Sequence, residues 1–549
     1  MVGKNRFAYI LLKGKKTKMP TIYNFEAKSI QNYILDSSKL KDMIGASEQI
    51  EYMCCDNGLL DEVLYSLDLS TKVQFARRAG GAFIAIFANI ADAKCFQAVW
   101  TFWVQQALPG LGFAQGIGTD ASLKIAIKMA QQALFEDKHN VFFSTIPLAG
   151  PLVARSPRTG QPAVSRIEVL NERVDATTEG KREFRNGKLL IAKLRFDTPV
   201  DWPINLNNKD KEGHEEKTFP LLDDNNYIAI VHADANNLGQ LLKTLAEELT
   251  DNQYIQTLTA FSQAIENATL ESARKAIVTI SKEATRFEIM PARPLVLGGD
   301  DFTFIVRGDL ALDFTKVFLE EFEKRSNDEL TKLKANHPAL KDLPTQLTAA
   351  AGIAYVKVSQ PFYQGYDLAE SLCKYAKKIS KEHIGKTKLV PSSLAFHRMS
   401  SNNIDKYETV IEHELTIGNN FLLSMQPYFI KPSTECHECP DLKDLQELLI
   451  LLNKPEVSHG TLREFLSLLE INKLQAEAAI QRWYDNLKNR GKVKLLERFE
   501  HLLEDLIKEP YKHFASPIRL IDNQKRTPIG DALVLLQISK GSNYVSSDI

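Results

Sequence analysis

Two apolar, β-prone runs, Leu295-Val296-Leu297 and Phe302-Thr303-Phe304-Ile305-Val306, flank Gly298-Gly299-Asp300-Asp301. This pattern predicts a hairpin whose tip carries the acids. Successive strand residues point to opposite faces, so both aspartates can serve one ion cluster only from a turn or a strand end. The glycines suit that place, because they accept unusual dihedrals and let a phosphate approach the backbone. Taken alone, Gly298–Asp301 reads equally well as an ordinary β-turn.

A second acidic strand end lies upstream, in Tyr227-Ile228-Ala229-Ile230-Val231-His232-Ala233-Asp234-Ala235-Asn236-Asn237-Leu238. An apolar run ends in Asp234, followed by a polar turn and the helical spacing Leu238, Leu241, Leu242, Leu245. Asp234 taken singly reads equally well as a solvated turn residue. With Asp300 and Asp301 it makes three carboxylates, which can bind two Mg²⁺ or Mn²⁺ ions through oxygen. Two such ions can activate a ribose 3′-hydroxyl and neutralise a triphosphate being broken. Downstream, Gln346–Val356 is strand-like, and Asp367–Lys381 has helical apolar spacing with Lys377 and Lys381 one turn apart. Such a pair can meet one polyphosphate, or can simply be a solvated basic face. The order strand, helix, hairpin, strand, helix predicts a ferredoxin-like palm.

The pattern occurs twice. Glu26 takes the place of Asp234, Arg78–Phe87 mirrors the Gly-Gly hairpin, and Phe113–Gly118 with Ala121–Gln131 mirrors the later strand and helix. Aligned glycine on glycine, Ala82 and Phe83 replace the aspartates and Gln131 replaces Lys377. This first copy lacks the acids for the same metal cluster and reads as a structural partner, with room for a second nucleotide.

At this point the chain resembles the large polymerase/cyclase-like signature subunit of type III CRISPR effector complexes, the Csm and Cmr assemblies. The resemblance rests on the Gly-Gly-Asp-Asp palm, the degenerate palm before it, the opening Phe25–Ile34, and a helical C-terminal region. More distantly, the hairpin and the Ala369–Lys377 helix resemble diguanylate cyclases, although Asp301-Phe302 matches their hairpin only in part. The resemblance implies a second palm that converts ATP into cyclic or linear oligoadenylates when the complex captures foreign RNA. It implies that Asp234, Asp300 and Asp301 hold two Mg²⁺ or Mn²⁺ ions, with the Ala235 carbonyl as a further ligand. Gly298 and Gly299 would admit the nucleotide, Lys377 and Lys381 would hold phosphate, and Asn237 would contact ribose or base. Other complex subunits, guide RNA and target RNA are the implied partners. Positioned 3′-oxygen, metals and phosphate neutralisation suffice, with no protein nucleophile.

There are departures from the family pattern. Members often carry an HD nuclease domain, but no His-Asp dipeptide occurs here, so DNA cleavage is not expected of this chain. Members often hold zinc on cysteine pairs near the palm junction, where Arg155–Ala163 is free of cysteine. The one C-x-x-C, Cys436-His437-Glu438-Cys439, supplies half a structural site, and ordinary loop cysteines are expected rather than zinc.

The expected fold class is α/β (α+β): two ferredoxin-like palms, an irregular connector and a C-terminal helical bundle. The expected division is a basic tail at 1–18, a degenerate palm at 19–145, a connector at 146–222, the GGDD palm at 223–400 and a helical domain at 401–549. The tail's Lys4, Arg6, Lys13, Lys15, Lys16 and Lys18 face no acid in that stretch. The connector is rich in proline, glycine and charge, while apolar stripes over 442–452, 462–469, 474–487 and 493–503 predict packed helices. A basic group at Arg482, Lys488, Arg490, Lys492 and Lys494 is expected to be a solvated surface. Histidines 214 and 232 receive no role.

Hydrophobic residues make up 44% and charged residues 25% of the chain, as in a globular protein with several cores. A net charge of −1 gives no whole-chain field for nucleic acid, so RNA contact must be local. Six unpatterned cysteines suit a reducing cytoplasm, and no apolar run reaches membrane-spanning length. Three alternatives stay open beside the enzyme of a complex: a noncatalytic scaffold, a stand-alone nucleotide cyclase, and adenylate transfer to another adenosine-containing acceptor.

Overall fold

A computed structural model describes residues 19–539, apart from 37–38, 141–149, 168–171, 185–186, 197–199, 207–216, 222–225, 243–250, 337–339, 341–342, 385–388, 401–405, 419–420, 432–438, 508–516 and 522–523. The expected basic tail, His214 and three residues of the C-x-x-C, Cys436, His437 and Glu438, lie outside the described residues.

The first half builds β1 (Thr21–Lys28), α1 (Leu40–Cys54), β2 (Gln74–Ala79), β3 (Ala82–Phe87), α2 (Ile90–Ala107), β4 (Gly112–Thr119) and α3 (Leu123–His139). Its sheet order is β2-β3-β1-β4, all antiparallel, the ferredoxin-like order. One face packs Phe25, Phe83, Phe96 and Trp100 against each other, with Phe25 and Phe83 stacked at 5.3 Å. The other face is covered by α3, whose Ala126, Ile127 and Ala130 are buried. The connector contributes a hairpin, β5 (Ala163–Ile167) and β6 (Glu172–Asp175), then α4 (Ala176–Glu183) and α5 (Leu189–Lys193). Helix α4 starts on Asp175, whose side chain accepts from Thr178 N. It lies so close to α1 that a Cβ on Gly45 would sit 1.8 Å from the Lys181 carbonyl oxygen. The Lys181 ammonium is buried yet satisfied: it donates to the Tyr33 carbonyl at 2.5 Å and lies over the Tyr33 ring.

The second palm follows as β7 (Tyr227–Ala235), α6 (Asp251–Phe287), β8 (Ala292–Gly298), β9 (Asp301–Arg307), α7 (Ala311–Asn336), β10 (Ala349–Lys357) and α8 (Phe362–Ile384). Strands β10-β7-β9-β8 repeat the ferredoxin-like order. Beyond them β11 (Ser393–Arg398) runs parallel to β10, and β12 (Tyr428–Phe429) pairs with β11. This sheet therefore continues past residue 400. Helices α6 and α7 cover one face and α8 the other.

The C-terminal region packs α9 (Leu442–Leu452), α10 (His459–Ile471), α11 (Lys473–Asn489), α12 (Val493–Ile507) and α13 (Ile529–Ile538) onto the same core as α6 and α7. Helix α12 buries Leu496, Phe499, Leu502, Leu503, Leu506 and Ile507, the stripe expected of a helix facing a core. A small sheet of short strands, including Arg519–Ile521 and Gln524–Arg526, adds to this region without a clear periodic signal in the sequence. Buried Asp531 is satisfied by Met425 N at 2.8 Å, Gln426 Nε2 at 2.8 Å and the Tyr428 hydroxyl at 2.7 Å, tying α13 to β12. Among the described residues, no helix is long and apolar enough to cross a membrane.

The two palms share a close strand-to-helix contact. A Cβ on Gly352 of β10 would lie 1.9 Å from the Ala369 carbonyl oxygen of α8, and one on Gly116 of β4 would lie 2.2 Å from that of Ala130 in α3. Neither backbone can move away without dragging its helix off the sheet. Gly352→Ala should therefore lower the thermal midpoint by about 2 °C or more, as overpacking costs of ~1–3 kcal/mol imply. Gly460→Ala, where the nearest atom to an added Cβ is a serine hydroxyl at 3.7 Å and the residue is helical, should not lower it. Differential scanning calorimetry of the two variants checks the contrast.

Candidate functional site

The antiparallel register of β7 and β9 pairs His232 with Thr303 and Ala233 with Phe302. One further step sets Asp234 across from Asp301. Directly opposed residues share a face, with Cβ atoms about 4.5–5.5 Å apart. Asp300 occupies the turn before β9, and Gly299 takes a φ of +62°, a left-handed value that favours glycine. All three aspartates thus lie at one end of the sheet, Asp234 and Asp301 on the α8 side and Asp300 at the tip.

Helix α8, held down by Gly352, brings Lys377 to Asp234: Nζ donates to Oδ2 at 2.5 Å. Lys381, one turn along, is exposed. Ala235 is buried at the strand end, where it pairs with Ala349. Asn237 is exposed with φ +58°, and its carbonyl accepts from Gln240 N and Leu241 N. That gives it a backbone role in turning the chain from β7. Asn236 was not singled out by sequence. It is buried and donates through Nδ2 to Thr348 Oγ1 at 3.0 Å, while its own N–H donates to the Thr348 carbonyl at 2.8 Å. These bonds fix the end of β7 against the loop before β10.

The acids repel one another. Burial pushes Asp300 up from the ordinary carboxylate range, with Asp234 adding to the rise. Burial, then Asp300 and Asp234, push Asp301 to about 7, while Arg77 opposes the shift. Asp301 is reached by solvent but ringed by protein atoms, and with Gly80 and Gly298 it lines a small cavity of about 30 Å³. His232 beneath them is driven down to about 4 by burial and bonds Thr303 Oγ1 at 3.0 Å. It is a neutral core histidine.

Among the described residues, no three His, Cys, Asp or Glu side chains already converge as a metal-ligand set. Asp234 is turned to Lys377 instead. The donor chemistry nevertheless suits a hard divalent cation: three carboxylates, two of them with raised affinity for protons, crowd one strand end where a cation would relieve their repulsion. Cys439, the described member of the C-x-x-C, is buried.

The two palms face each other hairpin to hairpin. A Cβ on Gly298 would lie 3.9 Å from the Gly80 backbone and 3.8 Å from Lys193 Nζ. Beside this contact opens a cavity of about 920 Å³, lined by Arg77, Gln131, Lys193, Arg195, Gly299 and Asp300 among others. Lys193 donates to Glu51 at 2.8 Å and to Glu266 at 3.4 Å, joining first palm, connector and α6. None of Arg77, Lys193 or Arg195 was singled out from sequence. The pair Arg77-Arg78 ahead of Gly80-Gly81 was the one visible sign.

Strand pairing corrects the glycine-on-glycine alignment by one residue. Glu26 pairs with Ala82, and the hairpin closes as Ala79 with Ala82, where the second palm closes as Gly298 with Asp301. Gly81 and Ala82, rather than Ala82 and Phe83, therefore stand where Asp300 and Asp301 stand. The helix correspondence shifts as well. Gly116 abuts Ala130 O and Leu134 N, as Gly352 abuts Ala369 O and Cys373 N. Lys138 and Lys377 each follow about two turns later, so Lys138, not Gln131, is the counterpart of Lys377. Lys138 Nζ donates to Glu26 Oε1 at 2.6 Å, the same acid–lysine pair as in the second palm. A one-residue slip between hairpins is invisible in sequence because both run Gly-Gly and register is fixed only by the pairing partners.

In the metal-free chain the raised Asp301 pKa has a signed consequence. The unfolded carboxyl ionises near 4 while the folded one holds its proton to about 7, so stability falls as pH rises through that window and levels off above it. Asp301→Asn should thus melt above wild type beyond pH 7 and coincide with it near pH 4. Thermal melts in chelator across this range check the sign.

The family whose description reads Cas10/Cmr2, second palm domain, matches residues 227–385. Comparison with curated proteins finds no match. Among solved structures the chain is similar to a Csm1-Csm4 cassette in complex with AMPPNP, with 14% identity, a TM-score of 0.38, and coverage of 68% of this chain and 55% of that one. It is similar to Csm1 in T. onnurineus, with 14% identity, a TM-score of 0.45, and coverage of 95% and 70%. A Csm1-Csm4 cassette in complex with cA3 gives 16% identity, a TM-score of 0.43, and coverage of 96% and 71%. The chain spans about half the length of the AMPPNP-bound and ATP-bound matches, 55% and 54%.

Proposed function

From the Cas10/Cmr2 second palm domain carried at residues 227–385, we propose that this chain is the large subunit of a type III CRISPR effector complex. In it the chain acts as a metal-dependent nucleotidyltransferase that joins adenylates from ATP into cyclic or linear oligomers when target RNA is captured. The observation that carries the reading is the meeting of Asp234, Asp300 and Asp301 at one strand end, with Lys377 on Asp234. Two Mg²⁺ or Mn²⁺ ions, held by those carboxylates and the Ala235 carbonyl, would supply 3′-hydroxyl activation and charge neutralisation at the α-phosphate.

The chain's own residues do the rest. Gly299, with open space where a Cβ would stand, leaves the hairpin tip clear for a phosphate. Lys377, already half-buried beside the acids, is placed to exchange Asp234 for a phosphate oxygen, and Lys381 extends that basic edge toward solvent. Asn237 turns the chain beside the nucleotide and presents its side chain to ribose or base. The other subunits, guide RNA and target RNA would switch the site by setting how the two palms meet. The proposed division of the chain is that given by sequence, with β12 of the 401–549 segment completing the second palm's sheet.

A second reading has an observation of its own. Gly81 and Ala82 leave the first palm without acids at its hairpin, so its pocket has no means of holding a triphosphate through the same ions. The acceptor there need not be ATP, and adenylate transfer to another adenosine-containing molecule fits equally well.

The test uses the purified complex with labelled ATP and Mg²⁺ or Mn²⁺, with and without complementary target RNA. Wild type should form new nucleotide products, and Asp300→Asn with Asp301→Asn should reduce them at least 100-fold. A product that survives the double substitution would refute the assignment of the site. A well-assembled complex that stays silent under every activating RNA would favour a scaffold, and product from the isolated chain would favour a stand-alone cyclase.

A further inference from the structure

Adjacent arginines at the end of β2 have opposite fates. Arg78 is locked into the first palm: its guanidinium donates to Asp61 at 2.7 and 2.8 Å and to the Cys54 carbonyl at 2.6 Å, and it lies over the Phe75 ring. Arg77 is exposed, and no hydrogen bond or ion pair among the described residues holds it. The reason is a break in register. Phe75 pairs with Ala85 and Arg77 with Ile84, leaving Ala76 as an extra, fully buried residue. Such a bulge bends the strand and re-aims the side chain that follows.

Arg77 is re-aimed across the palm–palm gap. It lines the same cavity as Gly299 and Asp300. Its positive charge is felt at both hairpin aspartates of the other palm. The second palm has its own bulge at the matching place, between Pro294 and Val296, yet the residue corresponding to Arg77 there is Val296. The arginine is therefore an asymmetric addition to a shared framework, and it points toward the palm that kept its acids. The neighbouring cation Lys193 is already engaged by Glu51 and Glu266.

We propose that Arg77, contributed by the first palm, binds the polyphosphate of the nucleoside triphosphate held at Asp234, Asp300 and Asp301. The assignment rests on the nucleotidyltransferase reading above and adds to it a phosphate ligand from the opposite palm. A guanidinium suits the role, since its planar fork matches two phosphate oxygens and stays charged at any working pH.

The experiment measures binding of α,β-methylene ATP and of adenosine to the full chain in its complex, with Mn²⁺, by calorimetry. Arg77→Ala should weaken the triphosphate at least 10-fold and leave adenosine unaffected, and Arg77→Lys should recover part of the loss. An unchanged affinity for the triphosphate in Arg77→Ala would overturn the proposal. Equal loss of both ligands would also overturn it, since that marks a structural role. If Arg77→Ala loses the triphosphate selectively while wild type makes no product, the Arg77 assignment stands and the polymerisation reading falls.

Discussion

Burial of acidic side chains beside one another at a strand end is the constraint on which the site depends. The β7–β9 register, carried one step past Ala233 and Phe302, sets Asp234 opposite Asp301, and a tight turn carries Asp300. A chain gains nothing in stability from such crowding. Burial and neighbouring charge drive both hairpin acids toward the protonated form. The surroundings are built to hold the strain in place: Asn236 fastens the end of β7, and Gly352 seats α8 tightly enough to deliver Lys377. Costly charge clusters of this kind mark functional sites more often than structural ones.

The first palm shows the same framework without acids at its hairpin. Its strand order, its close-packed Gly116 and its acid–lysine pair, Glu26 with Lys138, all persist. Its hairpin acids do not. With Gly81 and Ala82 in their places that crowding is gone. What it offers instead is position. It meets the second palm at Gly80 and Gly298, and the cavity between them carries basic side chains from the first palm and the connector.

Much of this was legible in the sequence, and for identifiable reasons. The Gly-Gly turn, the acids and the apolar runs of β7, β8 and β9 are local signals, and they located Asp234, Asp300 and Asp301 at strand ends. The stripes of α9 to α12 have a helical period that needs no partner to be seen. The correspondence between palms departs from the glycine-on-glycine alignment by one residue at the hairpin and by about two turns, Gln131 to Lys138, at the helix, because only partners in space fix register. Arg77, Lys193 and Asn236 were passed over since their roles depend on contacts between distant segments. The bulge at Ala76 has no composition of its own, and the C-terminal strands, such as Arg519–Ile521 and Gln524–Arg526, are too short to show alternation.

The most direct test of the account is a structure of the complex with α,β-methylene ATP and Mn²⁺, recorded at the manganese absorption edge. Anomalous peaks between Asp234 and the Asp300–Asp301 turn, with Lys377 swung from Asp234 onto a phosphate, are the predicted result. Nucleotide bound with no manganese at these carboxylates, or with Lys377 still paired to Asp234, would contradict it.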